Sequence, residues 1–287
     1  MPSNLHTYDL EYLLSLKDEG QFYNLVSEKF NEINGDFYAR ANLVLLERLK
    51  LKPESRVMDL ACGTGHLAIE IAKRVPQGKV VGVDMASEML AKGRADAQAA
   101  GVGNVEFIER NITHILPEFK PGAFDVGVSC FALSYLGTDF LLKEMFQILG
   151  NQGQVGITTS SVNSLTEWHS IIIDFFTDHP HALKDYGAPP MVDMPLNAED
   201  MVKRAEAAGF KKVQAESLKI PLSFDNGKEV AAFLISAGWL SNYFFKIQDR
   251  KEREALIDWG IRKVESIHAG APRIETSIEF LVAWNEL

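Results

Sequence analysis

Cysteine is scarce in this 287-residue chain, which has two, Cys62 and Cys130. Two thiols at expected strand ends or turns cannot staple a small secreted fold, and they fit a reducing compartment. Long apolar runs are missing too. The most hydrophobic window, Val230 to Leu240, is too short for a bilayer and is interrupted by Ser236 and Gly238. Basic charge is the third shortage. With 29 Lys and Arg against 39 Asp and Glu the net charge is −10, which argues against nucleic acid or an anionic membrane surface as the main partner. The opening Met-Pro-Ser-Asn-Leu-His lacks a basic region followed by an apolar core, so no secretory signal is read and a cytoplasmic location is expected. Internal repeats and low-complexity stretches are also absent.

What remains is 46% hydrophobic and 24% charged, a balance that suits one large α/β domain with an embedded cap. The most informative stretch is Val57-Met58-Asp59-Leu60-Ala61-Cys62-Gly63-Thr64-Gly65. An apolar strand runs there into a glycine-bearing turn, and the spacing of Leu67, Ala68, Ile69, Ile71 and Ala72 predicts a helix next. Such a turn offers the unpaired N–H groups of a helix start to a bound cofactor. A second apolar run, Val80 to Val83, ends at Asp84, 19 residues beyond Gly65. An acid at that strand tip can reach the ribose hydroxyls of a nucleoside. Gly63-x-Gly65-x-x-Ala68 with Asp84 also satisfies a dinucleotide pattern. Asp59 weighs against that alternative: a carboxylate at the first strand's end repels pyrophosphate and suits a cationic group such as an α-ammonium.

The word Asp59-x-Ala61-Cys62-Gly63-Thr64-Gly65 resembles the first motif of class I S-adenosylmethionine-dependent methyltransferases, in particular the small-molecule, ubiquinone/menaquinone-type branch. Many members carry Gly where this chain has Ala61. The resemblance implies a Rossmann-like α/β fold, a mostly parallel seven-stranded sheet with an antiparallel C-terminal edge hairpin and a helical cap. It also implies S-adenosylmethionine as cofactor. Asp59 and the Ala61, Gly63 and Gly65 backbone would hold its methionine end, with Asp59 taking the ammonium. Asp84 would accept from both ribose hydroxyls, and Met85 would pack on the adenine face. Asn111 stands where the family usually has Asp and would accept from the adenine amino group through its amide carbonyl, with Ile112 beside it. Ser129 would line the sulfonium region, and Tyr23 would close over the methionine carboxylate.

Organisation along the chain agrees with that architecture. Residues 8–50 read as three helices, the third capped by Asp36. Strands are expected at 56–60, 79–83, 104–108, 124–130 and 153–158, with helices at 65–75, 86–100 and 139–149, the second started by Ser87 and Glu88. Asn197 caps a helix over 198–208 that Gly209 stops, and two closing strands follow near 212–218 and 277–284. The expectation is one domain over 1–287, with a helical lid at 1–50, a cofactor-binding core at 51–160 and cap insertions at 160–196 and 225–275.

The chemistry of the acceptor is less marked. Methyl transfer from a sulfonium needs alignment rather than a metal or covalent intermediate. A hydroxyl acceptor benefits from a base, for which His169 leads and Tyr135 is the alternative; either can equally be a packing residue. Asp178-His179-Pro180-His181 reads as an exposed turn rather than a metal site, and Cys62 as a small apolar filler. Trp168, Phe175, Phe176, Tyr186, Met191, Met194, Trp239, Tyr243, Phe244 and Phe245 crowd the two insertions. Their number points to a hydrophobic or aromatic small-molecule acceptor. A quinone-precursor C-methyltransferase, a non-methylating cyclase or isomerase on the same scaffold, a protein methyltransferase and a regulatory binding module remain open. Base-directed nucleic-acid methylation is disfavoured by the acidic balance and by Phe131-Ala132-Leu133-Ser134-Tyr135, which stands where such enzymes usually add an Asn/Asp-Pro-Pro-aromatic word.

Overall fold

The computed structural model describes residues 19–27, 30, 36–180, 193–236, 244, 247, 249–268 and 270–285. In chain order the elements open with α1 (Glu19–Val26), α2 (Asp36–Arg48), β1 (Arg56–Leu60), α3 (His66–Arg74), β2 (Lys79–Asp84), α4 (Ser87–Ala99) and β3 (Val105–Glu109). The one-turn α5 (Ile112–Ile115), β4 (Phe124–Cys130), the one-turn α6 (Leu133–Leu136), α7 (Thr138–Ile148) and β5 (Leu149–Ser160) follow. The chain continues through α8 (Thr166–Asp178), α9 (Ala198–Ala208), β6 (Lys212–Ser223), α10 (Gly227–Ser236), α11 (Arg250–Ile267) and β7 (Arg273–Trp284).

Seven strands form one sheet in the order β3-β2-β1-β4-β5-β7-β6. The pairs β1–β2, β2–β3, β1–β4 and β4–β5 are parallel, and β7 runs antiparallel against β5. This is the class I methyltransferase arrangement, and it follows from the sequence pattern. β1 is exposed at Arg56 and buried over its next four residues, and β2 is buried through Val80–Val83, as strands covered on both faces must be. The order reverses at β1, so the ligand crevice of such a sheet falls at the carboxyl end of β1.

Packing divides the chain into two units. One holds the described residues of Asp36–Asn163, Val192–Leu218 and Ser277–Leu287. On one face of its sheet Met58, Leu60, Val83, Val155, Ile157 and Leu281 meet Leu141, Leu142 and Met145 of α7 and Met201 and Ala205 of α9. On the opposite face Leu45 and Leu49 of α2 approach Gly156, and α2 packs on α3. Asn197 Oδ1 accepts from Asp200 N at 2.9 Å and Gly209 ends α9 at φ 115°, as the sequence indicates. α4 starts at Ser87 with Glu88 in its first turn, behind an Ala86 N-cap whose own N–H donates to Asp84 Oδ1 at 2.9 Å.

The other unit comprises the described residues of Met1–Gly35, Ser164–Met191 and Lys219–Thr276. Here α8 and α10 both pack on α11. Phe175, Phe176, Val230, Phe233 and Phe244 are buried in it, so these large side chains serve the core of their own unit. Among the described residues no helix is long and apolar enough to cross a membrane.

The glycine turn after β1 is closely packed on the side of β3. Ala61, Gly63 and Gly65 have φ of 58°, 54° and 71°, all left-handed, where a Cβ is disfavoured by about 1–2 kcal/mol. Phe107 of β3 fills the space beneath: a Cβ on Gly65 would fall 2.4 Å from its ring, and one on Gly82 would lie 2.9 Å from Cys62 Sγ. Gly65→Ala is therefore expected to destabilise the protein by about 2–4 kcal/mol in urea unfolding. Ala61→Gly should instead stabilise it by up to about 1 kcal/mol. Equal and small effects for both would contradict this account of the turn.

Candidate functional site

The turn, the helix start and two carboxylates converge at the carboxyl ends of β1 and β2. Cys62 N donates to the Val83 carbonyl at 3.1 Å, Gly63 N to Asp84 Oδ2 at 2.8 Å and Gly65 N to the Cys62 carbonyl at 2.8 Å. These bonds lay the loop across the tip of β2 and deliver the chain into α3, whose cap at Gly65 has no side-chain bond. A Cβ on Gly63 would meet nothing within 4 Å, so the backbone there faces open space and a ligand can approach it closely.

Asp59 lies under this turn, 2% exposed. Its carboxylate accepts from the Ala68 N–H in the first turn of α3, a favourable place for negative charge. Its Oδ2 has no partner. Burial, and then repulsion from Asp84, push the Asp59 carboxyl up to about 8. Asp84 is likewise raised by burial, against three backbone N–H groups, from Ala86, Gly63 and Met85, that hold it down. A buried acid with an orphaned oxygen and a second acid nearby is poised to receive a cation or a hydrogen-bond donor. Cys62 is raised well above an ordinary thiol, chiefly by burial and then by both acids, so it stays protonated and is no nucleophile.

The remaining expected positions distribute unevenly. Met85 is 61% exposed at the end of β2, and Ile112 is buried at the start of α5. Asn111 caps α5: its Oδ1 accepts from Thr113 N at 2.9 Å and from Thr113 Oγ1 at 2.7 Å. Both lone pairs are thereby engaged, and the amide NH2 is the end of Asn111 left to face a base. The carbonyl role expected for it does not match this arrangement. Ser129 is buried and its Oγ donates to the Leu60 carbonyl at 2.9 Å, tying β4 to β1 beside Asp59. Tyr135 is 39% exposed in α6.

Two expected residues belong to the other unit. Tyr23 sits in α1, its ring 5.3 Å from Phe22 and 6.3 Å from Phe30. His169 falls within α8, and its side chain lies outside the described residues. His181, Tyr186, Met191, Trp239, Tyr243 and Phe245 also lie outside them. His179 stacks on Phe175 with centroids 4.4 Å apart, and no cluster of three metal-ligating groups occurs among the described residues.

Sequence reasoning overlooked an aromatic group at the end of β4. Phe131 has φ 57° and its N–H donates to the Thr158 carbonyl at 2.7 Å. Its ring meets Tyr38 edge-on at 4.7 Å and Phe37 at 5.5 Å. A bulky residue in the left-handed region is the strained kind of position that gathers at ligand sites. Burial, and then the neighbouring Tyr135, raise the Tyr38 phenol, which stays protonated. The signal in the sequence was Phe37-Tyr38 at the start of a helix, indistinguishable there from core packing.

Comparison with known proteins agrees with this fold. Residues 51–186 match a family model described as a methyltransferase domain. A demethylmenaquinone methyltransferase of Lactococcus lactis is 32% identical over 145 residues, covering 45% of this chain and 56% of that protein. The chain thus spans about half the length of the curated relatives it matches. The YcgJ protein of Bacillus subtilis superposes with TM-score 0.58 at 16% identity, covering 87% of this chain and 99% of the other. The [4+2]-cyclase SpnF gives TM-score 0.56 at 18% identity, covering 93% and 95%. At such identities these structures share the fold alone. The match over residues 51–186 is to a methyltransferase domain, and the sheet around them has the class I topology.

Asp59 also yields a stability prediction. An acid whose pKa is higher in the folded chain keeps its proton longer when folded. Its stabilising contribution is complete below the ordinary value of 3.8 and is lost as pH rises to about 8. In ligand-free thermal or urea unfolding, Asp59→Asn should therefore be more stable than the parent at pH 9, by on the order of 2–5 kcal/mol. The advantage should shrink towards pH 5. A difference independent of pH would mean that this carboxylate is solvated.

Proposed function

We propose that this methyltransferase domain uses S-adenosylmethionine to methylate a hydrophobic or aromatic small molecule at oxygen, nitrogen or carbon. The observation that carries the reading is the orphaned, buried Oδ2 of Asp59 beneath a glycine turn and a helix N-terminus. An α-ammonium answers that oxygen, and the open space at Gly63 admits a ligand against the backbone. In this reading Asp84 receives the ribose hydroxyls through lone pairs left after its bonds to Gly63 and Ala86, and Met85 and Ile112 flank the base. Once bound, the sulfonium supplies an activated methyl group, so the protein's part is alignment, exclusion of water and orientation of the acceptor. Tyr135 and His169 are the candidates to orient or deprotonate that acceptor, and Tyr23 the candidate to close over the methionine carboxylate. The Lactococcus relative's name brings a quinone-type ring within the proposed acceptor class.

Meeting an ammonium ionises a carboxyl that holds its proton up to about pH 8. Calorimetric titration with S-adenosylmethionine at pH 7, in buffers of different ionisation enthalpy, should show micromolar binding with release of close to one proton. Asp84→Ala should weaken binding by about a hundredfold through loss of charge-assisted hydrogen bonds. Incubation with methyl-labelled S-adenosylmethionine and cell extract should then yield a labelled product one methyl heavier than its precursor. Absence of binding would overturn the reading, and a product of unchanged mass would replace methylation with isomerisation.

A further inference from the structure

The polarity of one side chain at the end of β3 sets a preference that the two acids do not. Asp84 stands opposite Glu109 on the neighbouring strand, and the Arg110 N–H donates to the Asp84 carbonyl at 3.0 Å. Asn111 follows directly, one strand spacing of about 5 Å to the side of β2. In the cofactor reading the ribose rests on Asp84, so the base comes to this edge, beside Met85, Asn111 and Ile112.

Asn111 meets such a base as a donor. Its Oδ1 accepts from Thr113 N at 2.9 Å and from Thr113 Oγ1 at 2.7 Å. The amide nitrogen cannot replace the oxygen in these contacts, because the Thr113 N–H needs an acceptor and an amide NH2 is none. The orientation of the amide is thus fixed by chemistry. A carboxylate in the same seat would give one oxygen to Thr113 and keep the second as an acceptor. The amide puts two N–H donors where that second oxygen would be. Turning it round would forfeit both Thr113 bonds to gain one.

Purines differ at position 6 in the property that matters here. Adenine presents an amino donor beside its N7 acceptor, whereas a 6-oxopurine presents two acceptors, its O6 and N7. Bidentate reading of adenine by Asn uses the amide carbonyl and the NH2 together, and the Asn111 carbonyl is already taken. The NH2 that remains matches the acceptor edge of a 6-oxopurine.

We propose that Asn111 is a specificity residue that opens the base subsite to a 6-oxopurine, so that the S-inosyl analogue of the cofactor is held at least as tightly as the S-adenosyl form. This assignment rests on the cofactor reading above and deepens it. The ribose and amino-acid ends of the two compounds are identical, so Asp84 and Asp59 treat them alike and the difference falls on Asn111. Asn111 and Thr113 are exposed, which keeps the preference modest, because water competes for each bond.

The test compares S-adenosylhomocysteine with S-inosylhomocysteine in calorimetric titrations of the full chain. The parent is expected to bind the inosyl compound with equal affinity or up to about threefold more tightly. Asn111→Asp keeps the cap of α5, since Asp caps as well as Asn, and restores an acceptor towards the base. It should shift the ratio in favour of the adenosyl compound by about tenfold, the worth of one hydrogen bond. Tighter binding of the adenosyl compound by the parent, or a ratio that Asn111→Asp leaves unmoved, overturns the assignment. A parent that binds neither compound overturns the cofactor reading, and this assignment with it.

Discussion

A carboxylate buried with one oxygen unsatisfied is the constraint from which the rest of this site follows. Asp59 sits where two strands and a helix start meet, and among the described residues its hydrogen-bond donor is the Ala68 N–H. Keeping it there costs the ligand-free fold stability, and the surrounding structure is arranged so that the cost is borne locally. Asp84 pins Gly63 and Ala86, three residues adopt left-handed backbone, and Phe107 occupies the volume that Gly65 and Gly82 leave open. Each of these holds the helix start of α3 over the end of β1. Without them the N–H groups of that turn would point elsewhere, and the two acids would repel each other with nothing between them.

The two faces of the sheet divide the work. The face that carries Met58, Leu60, Ile157 and Leu281 is apolar to its end and supplies a continuous core with α7 and α9. The opposite face carries Asp59, Cys130, Thr158 and Ser160, and it becomes polar towards the carboxyl ends of the strands. Because alternate residues of a strand face opposite ways, one strand can serve both purposes. One set of residues packs the apolar core, and the set between them carries the polar groups at the strand ends. Such separation lets orphaned polar atoms persist at the site while the core beneath stays fully packed.

The turn after β4 shows how the two faces meet. Phe131 is held in a backbone conformation that bulky residues avoid, yet a single hydrogen bond to Thr158 and two ring contacts are enough to fix it. The same Thr158 that anchors this turn through its carbonyl sets its side chain against the Cys130 thiol. Backbone and side chain of one residue thus join the strained turn to the polar strand ends. The phenol of Tyr38, kept neutral by burial and by Tyr135, can donate as well as accept, which a charged group at that place could not.

Local order decided what could be read directly. Strands β1 to β5 and helices α3, α4, α7 and α9 lie within a few residues of where periodicity, Asn197 and Gly209 place them, because burial on both faces and caps are written in short stretches of chain. Asp59 and Asp84 were legible for the same reason: each closes an apolar run beside a glycine turn. Whether the Asn111 carbonyl faces a ligand or caps α5 was not legible, because it depends on Thr113, two residues on, and on the turn between them. Tyr38, Phe131 and Thr158 could not be read at all, since they come from a helix, a strand end and a strand far apart in sequence. By itself the sequence determined the class I sheet and the two acids at the ends of its first two strands. Only the tertiary structure decided which polar atoms are left unpaired there, because satisfaction of a hydrogen bond depends on neighbours that folding alone brings within reach.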